Sequence, residues 1–241
     1  MMIKVDMHMH SGEDPEDGLH YPATVLIDRA VELGYAAIAI TLHRKVIEDE
    51  RVFDYARQKG LLLIRSVEWV IDGADVLLHN ITQREAQKLA TFDDLRAYKS
   101  ERGEDLLVVA PHPLYPVGHS LGSRLEPNID LFDAIEYAPV HLSLFDIYNR
   151  RAMRIAKRHA KPVVANSDAH NLWMFGRHYT LVDAEPTMLS IFRAIREGRV
   201  QPHSPPITLV GCFRMFFSDP LLERKPGRVL ESFPSGATKA D

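Results

Sequence analysis

The sequence predicts an α/β fold whose parallel strands and covering helices wind into a barrel, on the strength of three observations. Apolar runs of strand length alternate with stretches of helical periodicity along most of the chain. Histidines and acids sit just past the ends of those apolar runs, where a parallel barrel gathers its active site. A random scatter of 12 histidines would not give that placement. The length of 241 residues approaches the roughly 250 typical of such barrels, and a 46% hydrophobic content supplies a substantial core.

The first strand is Met2-Ile3-Lys4-Val5, followed by an irregular acidic loop over 11–21. From 22 to 33, Val25, Leu26, Ala30, Val31 and Leu33 make a helical apolar stripe, with Pro22 in the first turn and Gly34 as the stop. Residues 36–41 read as the second strand, 46–59 as a polar helix ended by Gly60, and 61–66 as the third strand. Asp72-Gly73 reads as a turn between Glu68 and the strand carrying His79, so these two residues come from neighbouring strands of a hairpin. A helix is expected over 83–101, strands over 106–110, 132–136 and 162–165, and a long helix over 142–159. Such βα units bury both faces of their strands and cross over right-handedly, which argues for a closed or nearly closed parallel barrel. There is no internal repeat.

Side chains alternate faces along a strand, so His8 and His10 in Asp6-Met7-His8-Met9-His10 point the same way. The same holds for Asp168 and His170 if their strand runs through them. Between these pairs lie His43 after 36–41, Glu68 after 61–64, His79 after 76–78 and His112 after 106–110. Imidazole and carboxylate suit zinc, manganese and iron, and one metal takes only three or four protein ligands. These eight candidates imply more than one metal.

In chain order, Asp6-Met7-His8-Met9-His10-Ser11, Ile40-Thr41-Leu42-His43, Glu68 with His79, Pro111-His112-Pro113 and Ser167-Asp168-Ala169-His170 resemble the motifs of the PHP (polymerase and histidinol phosphatase) family. The resemblance spans about the first two hundred residues and is specific as a set, although each short piece is weak alone. It implies a distorted (β/α)7 barrel holding two or three divalent metal ions, zinc, manganese or iron. It further implies that His8, His10, Glu68 and Asp168 hold one ion, Glu68, His79 and His112 a second, and His43 and His170 a third, with Glu68 bridging the first two. Where the family usually has Thr-Asp-His, this chain has Thr41-Leu42-His43, which removes an acidic partner that would orient the histidine. Asp14, Asp17 and His20 compete to complete the third position. His20 is preferred, because a histidine completes the site in three-metal family members and Asp17-Gly18 also reads as an ordinary turn.

Two metals about 3.5–4 Å apart share a bridging water, lower its pKa toward neutrality and polarise a phosphoryl oxygen, so that hydroxide attacks phosphorus in line. Glu68, Asp168 and His43 are the residues expected to carry that chemistry, with His43 or His170 serving the leaving alkoxide. Arg44 and Lys45 after His43, Arg177 after the Asp168 motif, and His119 in the loop after His112 are the candidate phosphate contacts. The expected function is a phosphoesterase acting on a small phosphorylated metabolite or nucleotide. Two alternatives stand beside it: a 3′→5′ exonuclease-like phosphodiesterase, and a silent metal-binding regulatory barrel motivated by Leu42. A hydrolase of carbon–nitrogen bonds needs a similar activated water, and only the family resemblance favours phosphate.

Taken singly, each histidine is more ordinarily a satisfied core or capping residue, and the ordered set carries the reading. His141, His159 and His203 are expected to be structural, and His20 and His119 divide evenly between a site role and a loop hydrogen bond. Arg44 and Lys45 have the plain alternative of a solvated helix entry, Arg177 of a salt bridge, and Trp69 and Trp173 of simple packing. With 29 basic against 33 acidic residues and a formal charge of −4, the balance argues against a nucleic-acid partner. A single cysteine, Cys212, excludes an internal disulfide framework, and an opening strand in place of a signal peptide makes the cytoplasm the expected location. No apolar stretch approaches the ~20 residues needed to span a bilayer. The barrel is assigned to 1–210 and a tail to 211–241, of which 212–217 is apolar enough to dock and 225–241 has the composition of a poorly ordered segment. Oligomeric state is not encoded in these motifs.

Overall fold

The computed structural model describes residues 1–207 except 117, 140 and 142–145. The expected tail, Cys212 with it, lies outside the described residues. β1 (Met2–Asp6) leads into α1 (Ala23–Glu32), β2 (Ala37–Ile38), α2 (Glu50–Gln58) and β3 (Leu62–Leu63). β4 (Ser66–Ile71) and β5 (Ala74–His79) form the expected hairpin, and α3 (Gln83–Ala86) and α4 (Phe92–Arg102) precede β6 (Leu107–Ala110). β7 (Ala134–Tyr137), α5 (Ile147–Arg158), β8 (Val163–Ala165), β9 (Tyr179–Asp183), α6 (Met188–Arg196) and β10 (Val200–His203) follow.

The helix expected over 83–101 is two helices, because the sequence contains two starts. Thr82 with Glu85 and Thr91 with Asp94 each make a reciprocal capping box, which satisfies the otherwise orphaned N–H groups of a new first turn. Asp49 caps α2 through the Arg51 N–H, and α1 buries Leu26, Ile27 and Ala30 along one stripe. The third strand also differs from expectation. β3 has only two residues, and the chain enters β4 in time for Glu68 to lie within a strand instead of past its end.

The strands form two five-stranded sheets, ordered β10-β9-β1-β2-β3 and β4-β5-β6-β7-β8, so the expected closed ring of seven parallel strands is not what forms. Two features break it. β5 runs antiparallel to both β4 and β6, and antiparallel β9 takes the place beside β1. Single bridges link the sheets at one end, Met9 with Ala169 and His43 with Glu68, both in parallel sense. Thr180 on β9 adds a side-chain link, its Oγ1 accepting from Ala165 N and donating to Ala165 O at 2.8 Å each.

Residues of both sheets meet in one apolar cluster: Val5 and Ala37 from the first, Leu77, Leu107, Val109 and Ala134 from the second, with Ile191, Phe192 and Ile195 of α6. A second cluster packs Val76, Leu78, Val108 and Ile135 against Leu95 of α4 and Ile155 of α5. The alternation of Leu77 and Leu78 between the clusters is the period-two signature of a sheet covered on both faces. Among the described residues no helix is long and apolar enough to cross a membrane.

Candidate metal centre

Apart from His79 on β5, the candidate ligands ride on β4 and on the segments that continue past β1, β2, β6 and β8. Backbone hydrogen bonds hold these continuations side by side: Thr41 N donates to Met9 O (2.8 Å), Asp168 N to His8 O (2.8 Å), and Glu68 N to Leu42 O (3.2 Å). The loop after His10 closes tightly, with Gly12 N donating to Tyr21 O at 2.7 Å. Any side chain at Gly12 would place its Cβ 2.8 Å from the Leu19 carbonyl oxygen, so glycine is what permits the closure. That closure carries Asp14 and Asp17 over the histidines.

Glu68 sits at the middle of the arrangement. Its Oε2 is 3.4 Å from His8 Nε2, 3.5 Å from His10 Nε2 and 3.4 Å from His43 Nε2, and its Oε1 is 3.1 Å from His112 Nε2. Asp168 Oδ1 approaches the Nε2 atoms of His8 (3.2 Å) and His10 (3.4 Å). Three groups gather ligand atoms within 4.8 Å of one another: His8, His10 and Asp168; His8, Glu68 and His112; and His10, Asp17, His43 and His170. The far sides of the rings are held by further carboxylates. Glu136 Oε1 lies 3.0 Å from His8 Nδ1, and Asp14 Oδ2 lies 3.0 Å from the Nδ1 atoms of both His10 and His43.

The donor set fits divalent cations. His8 Nε2, His10 Nε2 and Asp17 Oδ2 are buried with no hydrogen-bond partner, which is costly for groups that have no ion to bind. The electrostatics favour positive charge there. Burial pulls the imidazole of His8 down, but Asp168, Glu136 and Glu68 outweigh it and hold it well above the usual range. His10 and His112 are likewise raised to about 9 against burial, His10 chiefly by Asp14 and Asp168, His112 by Glu68. Burial pushes Glu68 and Asp168 up, and the surrounding imidazoles, His8 foremost, bring both well below the carboxylate range. His112 (φ 27°) and Asp168 (φ 44°) also adopt left-handed backbone conformations that non-glycine residues seldom take. Such strain is typical of positions fixed by function.

The structure gathers His8, His10, His43, Glu68, His112, Asp168 and His170 as expected from the sequence, and differs at five positions. His20 is exposed and outside the cluster, while Asp17 Oδ2 reaches 3.2 Å from His170 Nε2 and 3.6 Å from His43 Nδ1. The tight turn at Gly12 delivers Asp17 and swings His20 outward. His79 lies outside the three groups because antiparallel β5 ends at the opposite end of the sheet, opposite Ser66, whose Oγ is 2.9 Å from His79 Nδ1. Burial and the nearby His8 push His79 down to about 3, so it is a neutral imidazole. Arg44 is paired with Glu16, Arg177 lines a small cavity with Trp173 and His178, and His119 is exposed, its carbonyl accepting from Asp75 N.

Two acids escaped the sequence reading. Glu136 looked like the end of an apolar strand, and only the burial of polar groups around it reveals its role. Asp75 shares a strand face with Leu77 and His79, and burial followed by the charge of Glu68 raises it to about 6. Strand parity beyond the Asp72-Gly73 turn was the available signal for Asp75.

Residues 146–200 match the family model described as PHP-associated, in agreement with the resemblance carried by the motifs. No curated protein matches the sequence. Among solved structures, the fold is shared with PsfC from Pseudomonas syringae PB-5123 (16% identity, TM-score 0.61, 85% of this chain and 92% of that one). It is also shared with the lesion-specific endonuclease PfuEndoQ from Pyrococcus furiosus (17% identity, TM-score 0.59, 84% of this chain). The match covers 58% of that endonuclease, so the chain corresponds to little more than half of its length. A third similar structure is endonuclease Q bound to a 27-mer duplex with an abasic lesion at the active site (15% identity, TM-score 0.56, 82% of this chain and 57% of that one). This overturns the argument from net charge against a nucleic-acid partner, since the same fold is seen on DNA. Net charge sums the whole surface, whereas recognition depends on local potential.

Proposed function

We propose that this PHP-type chain is a metal-dependent phosphoesterase. The observation that carries the reading is the convergence of four imidazole Nε2 atoms on Glu68, three on one carboxylate oxygen and one on the other. His8, His10, Glu68 and Asp168 would hold one ion, Glu68 and His112 a second, and Asp17, His43 and His170 a third. Bound divalent ions supply Lewis acidity to a phosphoryl oxygen and lower the pKa of a water toward neutrality.

The protein's own contribution is to present and orient. Glu136 and Asp14 engage the Nδ1 sides of His8, His10 and His43, which leaves the Nε2 lone pairs directed inward. Glu68 spreads its two oxygens between two positions. His43 (23% exposed) and His170 (36%) mark the open edge, where an ester enters and its alcohol departs. Water oxygen bonds to phosphorus, the phosphorus–oxygen ester bond breaks, and the departing alkoxide takes a proton from solvent at that edge. A phosphodiester within nucleic acid is a second substrate class, favoured by the fold shared with a DNA endonuclease.

The test is elemental analysis of the purified protein beside a screen of phosphomonoesters and a phosphodiester, with and without chelator. Two or three metals per chain with chelator-sensitive phosphate release is the expected result. Bound metal without turnover of any ester would overturn the assignment in favour of a silent barrel.

A further inference from the structure

α5 carries Arg150, Arg151, Arg154, Lys157 and Arg158 and not one acid. At about 100° per residue these five project within an arc of roughly 120°, and all are exposed. Asn149, Ala152, Ile155 and Ala156 are buried on the opposite side. Elsewhere many arginines are paired: Arg29 with Glu32, Arg57 with Asp54, Arg102 with Glu85, Arg193 with Glu104. On α5 Arg158 has Glu126, but among the described residues no carboxylate pairs with Arg150, Arg151, Arg154 or Lys157. Four adjacent unpaired cations on a chain of net charge −4 are a local departure from the rest of the surface.

The face also has a shaped feature. Tyr137, Arg150, Met153 and Arg154 line an open groove of about 540 Å³. The Tyr137 hydroxyl donates to Asp146 beside the start of α5, which fixes the ring. Tyr137 directly follows Glu136, whose carboxylate touches His8 of the metal centre. A ring and a thioether flanked by two guanidiniums offer a stacking surface for a base and charge-assisted donors for its phosphates. A membrane-binding face would instead need an apolar stripe, and Ile147 is the single large apolar side chain within the basic arc.

We propose that the α5 face and its groove bind an unpaired nucleic-acid strand, with phosphates on Arg150 and Arg154 and a base against Tyr137 and Met153. The inference rests on the phosphoesterase reading and names the substrate class of that site.

The experiment is anisotropy of a short fluorescein-labelled oligothymidylate, titrated in chelator with the full chain and with R150E/R154E, across a salt series. The double reversal is expected to weaken binding at least tenfold and to flatten the log–log salt slope by about 1.4, about 0.7 for each lost phosphate contact. R150Q/R154Q should weaken binding less, with unchanged circular dichroism in both variants. Unchanged binding overturns the proposal. So does an equal loss on reversing paired surface arginines (R57E/R193E), or reversal-sensitive capture by phosphatidylserine vesicles with no effect on the oligonucleotide. Binding in chelator needs no turnover, and the ester screen needs no α5 variant, so failure of either reading is seen separately.

Discussion

Asp14 Oδ2 lies 3.0 Å from Nδ1 of His43 and also accepts the His43 backbone N–H at 2.8 Å. The same oxygen is 3.0 Å from His10 Nδ1, and the two rings stack with centroids 4.4 Å apart. One carboxylate from the loop after β1 therefore orients two imidazoles. Leu42, where an acidic partner was missing, is fully buried in the core. Burial raises the Asp14 carboxyl, but the bonds from His10 and His43 outweigh it and hold it below the carboxylate range.

Asp14→Asn keeps the size and removes the charge that orients both rings. Outer-shell partners of this kind are worth about 10–100-fold in metal affinity or activity. Metal titration and initial rates should both fall by that order with an unchanged far-ultraviolet spectrum, and an unaffected rate would show that the two rings are held by packing alone.

Asp17 and His20 give a direct choice within the same loop. Asp17 Oδ2 is buried with no hydrogen-bond partner, close to the rings of His10, His43 and His170, while His20 faces solvent. Asp17→Ala is expected to lower the metal content per chain, and His20→Ala to leave it unchanged. The opposite pattern in elemental analysis would return the third position to His20.

The site was legible in the sequence wherever a ligand followed a strand running in the common direction, as His8, His10, His43, His112 and Asp168 do. His79 was misplaced because the motif resemblance assigned it to the metal, although the hairpin read at Asp72-Gly73 already turns its strand back. Leu77 and His79 share a face on either reading, but antiparallel pairing sends the later residue to the far end. Among Asp14, Asp17 and His20 the sequence favoured His20, whereas the structure brings Asp17 to His43 and His170, because the chain path over 11–21 depends on the Gly12 closure, a tertiary contact that no spacing encodes. The barrel expectation failed for a related reason: two-residue β2 and β3 and antiparallel β9 are set by packing, not by periodicity.

Metal binding should stabilise the fold, because the ligands come from segments far apart in sequence and converge only in the native state. At a free ion concentration 100-fold above Kd, mass action contributes about 2.7 kcal/mol. For a chain of this size about 2–4 °C of Tm corresponds to each kcal/mol, so Tm should rise by about 5–10 °C on adding zinc or manganese to chelated protein. His8→Ala should abolish most of the shift. A Tm indifferent to metal would mean the cluster binds no ion tightly.

His178 supplies a pH prediction away from the metal centre. It is buried, its Nδ1 is 2.8 Å from Ser204 Oγ, and burial first, then His141, Arg177 and His203, push its pKa down to about 4. An unfolded histidine titrates near 6.5, so between about 6.5 and 4 the unfolded chain binds the extra proton. Stability from this group is therefore fully present above 6.5 and is lost as pH falls toward 4, by at most about 3 kcal/mol. Urea unfolding of chelated protein at neutral pH and at pH near 4.5 should show a smaller loss for His178→Gln than for the parent chain. Comparing the two proteins cancels the metal ligands, which titrate in both. Equal losses would mean that His178 takes up its proton within the folded protein, with the segment at Ser204 yielding to accommodate the charge.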